Sequence, residues 1–390
     1  MDKPTGHREE TDSRPWWWIF DPRESLRAAA ALFFGLGGVL FTVLLASIAG
    51  RTLQQNLEQH LGNTYETLAV QLSDKIDRAI YERYRTLQLT AGLALLRNPE
   101  TAPADRRQAL TATQDATPEF AWLGFAEPSG RIVVATKGHL EGTSAEMRAW
   151  FRSAQEQPYA GNLREVPEIA ALAAGADEGE VAPRYLTFAV PVPTPDGRLA
   201  GVLGAHLRWT WARELQASVL SDAARRDRVG ATVYSGTGDV LLDSGSSGWT
   251  HPPDLPAVPA RKFRGYQIEP TSLGTTYLTG FVRSRGFREY RGLGWIAVVR
   301  QPVDQAFRPV VELRHTVARW GFAFTGAAML GAWLYAGRLS RRLRSVGLAA
   351  HRIRTGDVLT ILPSARGEGE IARMCSALNR LVEDFRARLK

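Results

Sequence analysis

Arg148 is the residue whose type and neighbours most clearly suggest binding chemistry, because Trp150 and Phe151 follow it within three positions. A guanidinium presents a planar fork of N–H donors to a carboxylate, and a neighbouring indole gives a binding site an apolar wall. The structural alternative is that Arg148 pairs with a surface acid such as Glu146 while Trp150 belongs to the core. From these residues alone, the two interpretations are about equally good.

The sequence contains no recognisable catalytic motif. It has no HExxH pattern, no closely spaced pair of histidines and no Gly-x-Ser-x-Gly elbow. The glycines of residues 235–238 lie between two strand-like runs and lack the Lys-Ser/Thr ending of a phosphate-binding loop. The acidic segment from Ala170 to Ala182 lacks EF-hand spacing, so we expect a solvated loop rather than a lid or a calcium loop. We therefore expect a protein that is not an enzyme and has no metal or cofactor.

Two uncharged apolar stretches, residues 28–50 and 320–337, enclose the large central region. The first is long enough to cross a hydrocarbon core of about 30 Å at about 1.5 Å per residue. A cleaved signal peptide is the alternative, since residues 47–49 offer small side chains at a cleavage site, but signal cores run to about 7–15 residues. The second stretch is short for a span, and a buried core helix is its alternative.

Arginines set the expected membrane topology. Four of them follow the second apolar stretch directly, and such a cluster stays in the cytoplasm: Arg338, Arg341, Arg342 and Arg344. We therefore expect a two-pass membrane protein, with a cytoplasmic tail at 1–27, transmembrane helices at 28–50 and 320–337, and residues 51–319 outside the cytoplasm. Residues 338–390 hold 12 Lys/Arg and 5 Asp/Glu, or +7 of the formal +8, which favours anionic lipid rather than nucleic acid as the basic region's partner.

The central region begins with a predicted amphipathic helix. There is no proline from residue 51 to residue 98, and apolar side chains recur every three or four residues, which is typical of one helix face: Leu61, Tyr65, Leu68, Leu72, Ile76 and Ile80. Apolar runs at 120–126, 131–136, 185–191 and 199–207 follow, separated by turn signals such as Pro195-Asp196-Gly197. These runs predict an antiparallel sheet in a distal subdomain at about 100–215.

A second block repeats this pattern in a proximal subdomain at about 228–302. It contains strand-like runs at 231–234, 240–243, 277–283 and 295–300, and a helix is expected at 303–319. The fold class is therefore α+β, with a long N-terminal helix and two antiparallel-sheet subdomains between two transmembrane helices. The only cysteine, Cys375, lies in the tail, so the outer region must be stabilised without disulfides.

The central region resembles the double Cache periplasmic sensors of bacterial chemoreceptors, histidine kinases and membrane diguanylate cyclases. The resemblance covers residues 51–319 and implies that both antiparallel-sheet subdomains are PAS-like. It is carried by three pieces of sequence: Arg148-Ala-Trp150-Phe151, then Phe188-Ala-Val-Pro-Val192 with Asp196-Gly197 and Gly201 to Leu207, and then Leu293-Gly-Trp295 through Arg300-Gln-Pro302. It implies a ligand pocket in the distal subdomain, whereas the sequence does not say whether the proximal subdomain has one.

Residues 338–390 resemble a HAMP module, a helical hairpin that relays signals through a parallel coiled coil. Two apolar seams alternate three and four residues apart: Leu339, Leu343, Val346, Ala350 and Ile353, and then Ile371, Met374, Leu378, Leu381 and Phe385. The resemblance assigns signal relay to Arg342, Gly356, Asp357 and Glu370, although Arg342 stands where the family commonly has proline. A basic membrane-surface helix is the alternative for this tail.

The Cache resemblance also implies which residues line the distal pocket. Arg148, Trp150 and Phe151 match the positions that clamp a ligand carboxylate in amino-acid-binding members, and Tyr159 is a further wall. The family's ammonium-binding aspartate is expected where this chain has Ala205 and His206. A histidine does not replace a fixed anion, so we expect a carboxylate or another anion rather than a free α-amino acid. His206 as a buried structural histidine is the alternative.

These observations predict a homodimeric inner-membrane receptor that senses a periplasmic small molecule. The HAMP module would relay the signal to a separate cytoplasmic output protein, because output domains usually begin after it and the sequence ends at Lys390. One alternative is the sensor part of a diguanylate cyclase or histidine kinase whose output domain is lost or separately encoded. Another is a membrane assembly protein that no longer senses a ligand.

Overall fold

The computed structural model of the protein describes residues 25–170, 184–244 and 262–354 apart from Leu273, together with six single residues: Pro256, Val258, Arg373, Ser376, Ala377 and Arg380. The chain forms two compact units. One is Gln54–Arg308, and the other combines Met1–Leu53 with Pro309–Lys390. Most of the Ala170 to Ala182 segment lies outside the described residues, as do Gly356, Asp357 and Glu370 of the predicted relay. Arg342 lies within a helix, but its side chain is not among those described.

The described residues form nine α-helices and ten β-strands. The helices are α1 Leu26–Ala91, α2 Ala94–Arg97, α3 Pro103–Ala116, α4 Ala149–Ser153, α5 Pro167–Ala170, α6 Trp211–Ala217, α7 Asp222–Arg226, α8 Val303–Ala306 and α9 Arg308–Arg354. The strands are β1 Phe120–Ala126, β2 Ile132–Ala135, β3 Tyr159–Glu165, β4 Arg184–Pro193, β5 Leu199–Arg208, β6 Gly230–Tyr234, β7 Val240–Asp243, β8 Arg264–Pro270, β9 Thr276–Arg283 and β10 Ile296–Pro302. The predicted α+β class is confirmed.

The predicted amphipathic helix is the C-terminal part of α1, and it ends earlier than the absence of proline suggested. Gly92 follows its last residue, and Leu93 is extended with φ −62° and ψ 135° before α2 begins. The apolar stripe is buried as its spacing required, with Leu72 and Ile80 both fully buried. Burying such a stripe against a sheet, rather than intrinsic propensity, supplies most of a helix's stability.

Two antiparallel five-stranded sheets follow α1, and both have the same strand order. The distal sheet runs β2-β1-β5-β4-β3 and the proximal sheet runs β7-β6-β10-β9-β8. The predicted hairpin between β4 and β5 is present, where Thr194 N donates to Arg198 O at 2.7 Å and Gly197 has φ +89°. This repeated arrangement after a long helix is the architecture that the double Cache resemblance implies.

Each sheet directs alternate residues toward α1. Leu203, Ala205 and Leu207 of the distal sheet belong to the same apolar core as the α1 stripe, and so do Leu278 and Val299 of the proximal sheet. The residues between them therefore lie on the outer faces of the two sheets. Both candidate binding regions described below lie on these outer faces.

Edge strand β3 and edge strand β8 were not predicted. In β3, Gly161 and Asn162 interrupt the apolar pattern, and the register shifts between Gly161 and Arg164. The residues of β8 are only partly buried or exposed along the whole strand, as expected at a sheet edge. Strands without a continuous apolar face give little sequence signal.

Within the described residues, α1 is the one helix that is both long and apolar enough to cross a membrane, with a mean hydropathy of 2.3 over its most apolar window. The second predicted stretch, 320–337, is helical within α9, and several of its large apolar side chains are exposed. The two helices approach closely at small residues. A Cβ at Gly38 would lie 2.5 Å from Thr325 Oγ1, a kind of contact that membrane helix pairs favour. The two-pass topology stays a prediction.

Candidate ligand site on the distal sheet

The candidate site is centred on His206, in the middle strand of the distal sheet. In the strand ladder, His206 pairs with Trp122 of β1 on one side and with Thr187 of β4 on the other. Residues directly opposite one another in an antiparallel pair share a face. All three side chains therefore lie on the outer face, away from α1.

His206 is buried and electrically neutral. It is 3% exposed, and its Nδ1 lies 3.0 Å from Thr187 Oγ1. The pKa of His206 is lowered to about 3, mainly by burial and also by the positive charge of Arg148, against the negative charge of Glu168. The imidazole is therefore uncharged at neutral pH and offers a hydrogen bond rather than a charge.

Three buried polar atoms around this histidine have no hydrogen-bond partner within the structure: Trp150 Nε1, Tyr185 Oη and His206 Nε2. Their rings belong to one connected aromatic cluster. The ring centroid of Trp122 lies 6.2 Å from that of Trp150 and 5.2 Å from that of His206, and the centroid of His206 lies 6.5 Å from that of Tyr185. Leaving a buried polar group unpaired costs about 1–3 kcal/mol. A bound molecule that supplies hydrogen-bond partners removes that cost.

Glycines in the sheet leave room for the aromatic side chains. A Cβ at Gly204 would lie 2.8 Å from the Trp150 ring, and one at Gly124 would collide with the Trp122 ring. Trp150 and Phe151 come from the short helix α4, and both are almost fully buried in the cluster on this face. The sheet and α4 thus hold the two indoles against each other.

Arg148 precedes α4 and lies where the site meets solvent. Its Nη2 is 3.1 Å from Glu168 Oε1, and the two side chains are 28% and 48% exposed. The acid that Arg148 contacts is therefore Glu168 of α5 and not Glu146. Ion pairs this exposed contribute about 0–1 kcal/mol to stability, so a ligand anion can exchange for Glu168 at little cost.

Tyr159 contacts the same cluster from the sheet edge. It is half-buried at the start of β3, where it pairs with Ala189, and its hydroxyl lies beside Gly161. The structure thus places Arg148, Trp150, Phe151, Tyr159 and His206 on one side of the distal sheet. Whether they bind a ligand stays a prediction.

Comparison with known families identifies the C-terminal part of the chain. Residues 334–387 match the HAMP domain model. The predicted HAMP module is therefore confirmed by this similarity. The match begins four residues before the predicted start at 338 and extends over both predicted apolar seams. Among curated proteins, no sequence matches this chain.

Several solved structures are similar to the part of the chain that precedes the HAMP domain. One is the ligand-binding domain of the Pseudomonas aeruginosa amino-acid chemoreceptor PctC with GABA, with 18% identity over 63% of this chain and 99% of that chain and a TM-score of 0.46. Another is that of the Pseudomonas fluorescens chemoreceptor CtaA with L-isoleucine, with 15% identity, 66% and 98% coverage and a TM-score of 0.44. Identity this low does not indicate which ligand this chain binds.

Four residues of the candidate site were missed from the sequence: Trp122, Glu168, Tyr185 and Thr187. Strand alternation signals two of them, because Tyr185 and Thr187 share the outer face with Ala189 in β4. Pairing Trp122 with His206 required the β1–β5 register, which no local pattern gives. Within the part of the chain that the structure describes, no group of His, Cys, Asp or Glu side chains could hold a metal ion.

Proposed function

We propose that this chain is a homodimeric receptor of the bacterial inner membrane, which binds a small molecule on the outer face of its distal sheet and relays that event through its HAMP domain. The observation that carries the proposal is the set of three buried polar atoms around His206 that have no hydrogen-bond partner among the described residues. HAMP and sensor domains have no catalytic chemistry of their own, so an output protein or domain produces the response. The basic tail contacts anionic lipids, and we expect no nucleic acid as a partner.

The chemistry of the site favours a carboxylate or another anion. Arg148 provides a permanent positive charge, while Trp150 Nε1 and Tyr185 Oη provide uncharged donors. His206 is neutral, and the described acid nearest the site, Glu168, already contacts Arg148. A free α-amino acid also needs a fixed anion for its ammonium group, and residues 205 and 206 do not supply one.

The distal site is directly connected to the proximal subdomain. Arg184, which precedes Tyr185 in β4, donates from Nη1 to Val240 O at 2.9 Å. Trp209, which lies just beyond β5, donates from Nε1 to Leu241 O at 2.9 Å. A ligand that shifts β4 or β5 therefore shifts β7 as well.

The HAMP domain is the element that we expect to switch. Packed helical bundles change between discrete arrangements rather than deforming continuously, so a small displacement at one end biases the whole bundle. A ligand shifts this equilibrium by the difference between its binding free energies in the two states. A few kcal/mol of such a difference is sufficient.

A thermal-shift screen of the full chain in lipid nanodiscs tests the proposal. The panel contains small mono- and dicarboxylates, amino acids, amines, purines and polyols. A ligand at about one hundred times its Kd stabilises by about 2.7 kcal/mol. For a unit of this size, that corresponds to a rise in Tm of about 5 °C or more.

Two arginine variants, one just before α4 and one within it, sharpen the screen. Arg148→Gln removes the proposed anion contact, whereas Arg152→Gln removes an exposed arginine outside the aromatic cluster. We expect a carboxylate to raise Tm in the wild type and in Arg152→Gln but not in Arg148→Gln. A folded protein that no compound stabilises contradicts the proposal and favours a membrane assembly protein.

A further inference from the structure

The proximal sheet can be aligned with the distal sheet through one turn in each. After β1, Gly130 N donates to Glu127 O at 2.8 Å, and after β6, Gly238 N donates to Ser235 O at 3.1 Å. Both glycines are in the left-handed region, with φ +88° and +99°. Glu127 and Ser235 are therefore equivalent positions.

This alignment places Arg300 where the distal sheet has His206. Trp122 lies five residues before Glu127, and Gly230 lies five before Ser235. Trp122 pairs with His206 in the distal ladder, and Gly230 pairs with Arg300 in the proximal ladder. The neighbouring strand supports this alignment, because a threonine pairs with the central residue in both sheets. Thr187 pairs with His206, and Thr279 pairs with Arg300.

Arg300 is completely buried on the outer face of the proximal sheet. Its Nη2 donates to Tyr234 Oη at 3.2 Å. Its guanidinium carbon lies 5.8 Å from the centre of the Tyr234 ring and 5.9 Å from that of Tyr277. Gly230 has no side chain where the distal sheet has the indole of Trp122.

Two buried polar atoms on this face have no hydrogen-bond partner within the structure. They are Thr279 Oγ1, in a residue that is completely buried, and Glu269 Oε1. The other carboxylate oxygen of Glu269 accepts from Gln267 Nε2 at 2.9 Å. The register puts Gln267 opposite Thr279 and Glu269 opposite Tyr277, so all of these side chains share the face of Arg300.

Opposite charges therefore lie close together on this face. Burial raises the pKa of Tyr234, Arg300 opposes this, and Asp243 and Glu269 raise it further, so one cation and two acids act on the same hydroxyl. Asp243 accepts a hydrogen bond from Thr232 at 3.0 Å, whereas Glu269 Oε1 has no donor. A ligand that donates a hydrogen bond to Glu269 Oε1 and accepts one from Thr279 Oγ1 would satisfy both atoms.

We propose that the outer face of the proximal sheet is a second ligand site, which binds a small zwitterion with its carboxylate at Arg300 and Thr279 and its ammonium group at Glu269. Strands β8 and β10 are two strand spacings apart, or about 10 Å, and the long side chains of Glu269 and Arg300 shorten the gap. The remaining distance is covered by linear amino acids with two to five carbons, counted from the carboxylate carbon to the carbon that bears the ammonium group. This site is separate from the one in the proposed function.

The test is a thermal-shift titration of the full chain in nanodiscs with glycine, β-alanine, 4-aminobutyrate and 5-aminovalerate. Thr279→Val keeps the shape of the side chain and removes only a hydroxyl that has no partner, so this variant is expected to fold. Glu269→Gln removes the charge at constant size. We expect at least one of the four compounds to raise Tm by about 5 °C at saturation, and both variants to lose most of that rise.

Arg148→Gln separates the two sites. The zwitterion-dependent rise in Tm should persist in this variant, whatever becomes of binding at the distal sheet. The proposal is overturned if none of the four compounds stabilises the wild type. It is also overturned if the rise survives in both Thr279→Val and Glu269→Gln, or disappears in Arg148→Gln.

Discussion

The two sheets have the same strand order and differ in what occupies their central outer position. The distal sheet has His206, which burial keeps neutral among aromatic rings. The proximal sheet has Arg300, whose guanidinium lies among tyrosines and acids. A neutral imidazole tolerates an apolar site, whereas a buried guanidinium needs partners. The two sheets therefore have equivalent central positions, and the side chain at each position determines which chemical groups that face could bind.

The faces toward α1 also differ. At equivalent positions, the distal sheet has Phe188, whose ring lies 6.0 Å from that of Tyr84, and the proximal sheet has Gly280. Tyr65 and Glu66 of α1 come so close that a Cβ at Gly280 would collide with their backbone. The proximal sheet is therefore in backbone contact with the helix, while the distal sheet is separated from it by side chains.

The largest expected effect breaks that backbone contact. Gly280→Val should destabilise the protein by about 3 kcal/mol or more, because backbone atoms of α1 cannot move aside as a flexible side chain can. Chemical denaturation measures the change. Gly236→Ala is the control, since its new Cβ would have only one ordinary contact, 3.6 Å from Gly294 O. Equal stabilities for the two variants would show that the close approach is absent.

Lowering the pH should change protein stability in opposite directions through two buried groups. One is Asp77, which accepts a hydrogen bond from Ser284 of the proximal subdomain, and the other is His206 of the distal subdomain. Burial raises the pKa of Asp77 to about 6, against hydrogen bonds from Ser284 and Gly286, so its contribution to stability is lost as pH rises from about 4 to 6. The lowered pKa of His206 means that its contribution is present above pH 6.5 and is lost as pH falls toward 3. For Asp77 the change is on the order of 2 kcal/mol.

Unfolding free energies at pH 4 to 7 for Asp77→Asn and His206→Gln measure these contributions. Relative to the wild type, Asp77→Asn should lose more stability at pH 4 than at pH 7. His206→Gln should show the reverse, gaining relative stability as pH falls. Parallel pH profiles for the wild type and both variants would mean that neither group is buried as described.

A smaller effect is expected at the connection between the subdomains. Trp295 Nε1 donates to Asn162 Oδ1 at 3.1 Å, which joins β3 to the segment before β10. Asn162→Ala should cost about 1 kcal/mol and make the two subdomains unfold less cooperatively. Calorimetry is the measurement, and Asn98→Ala, outside this connection, is the control. An unchanged transition would show that the other contacts connect the subdomains.

The smallest effect on stability should come from Tyr185→Phe. This change removes a buried hydroxyl that has no partner, so unfolding free energy should change by less than about 1 kcal/mol or rise slightly. Affinity for the distal ligand should nevertheless fall by about tenfold, the loss of one hydrogen bond. Unchanged affinity would place the ligand away from Tyr185.

The sequence predicted what depends on local pattern. The apolar spacing of α1, the turn at Pro195 to Gly197 and the run of β1 at residues 120–126 all appear as expected. The partner of Arg148 was predicted less well, because Glu168 is 20 residues away and reaches it only through α5. Likewise, the equivalence of His206 and Arg300 depends on strand register, which becomes visible only when two sheets are paired.

The proposed ligand site on the distal sheet is tested most directly by locating a bound carboxylate. Fluorine NMR of the full chain labelled with 5-fluorotryptophan gives one signal for each of its 11 tryptophans, and Trp122→Phe and Trp150→Phe assign the two at the distal site. We expect the carboxylate found by the screen to shift both signals, and Arg148→Gln to abolish the shift. Unshifted Trp122 and Trp150 signals at a saturating concentration would contradict a ligand site on the distal sheet.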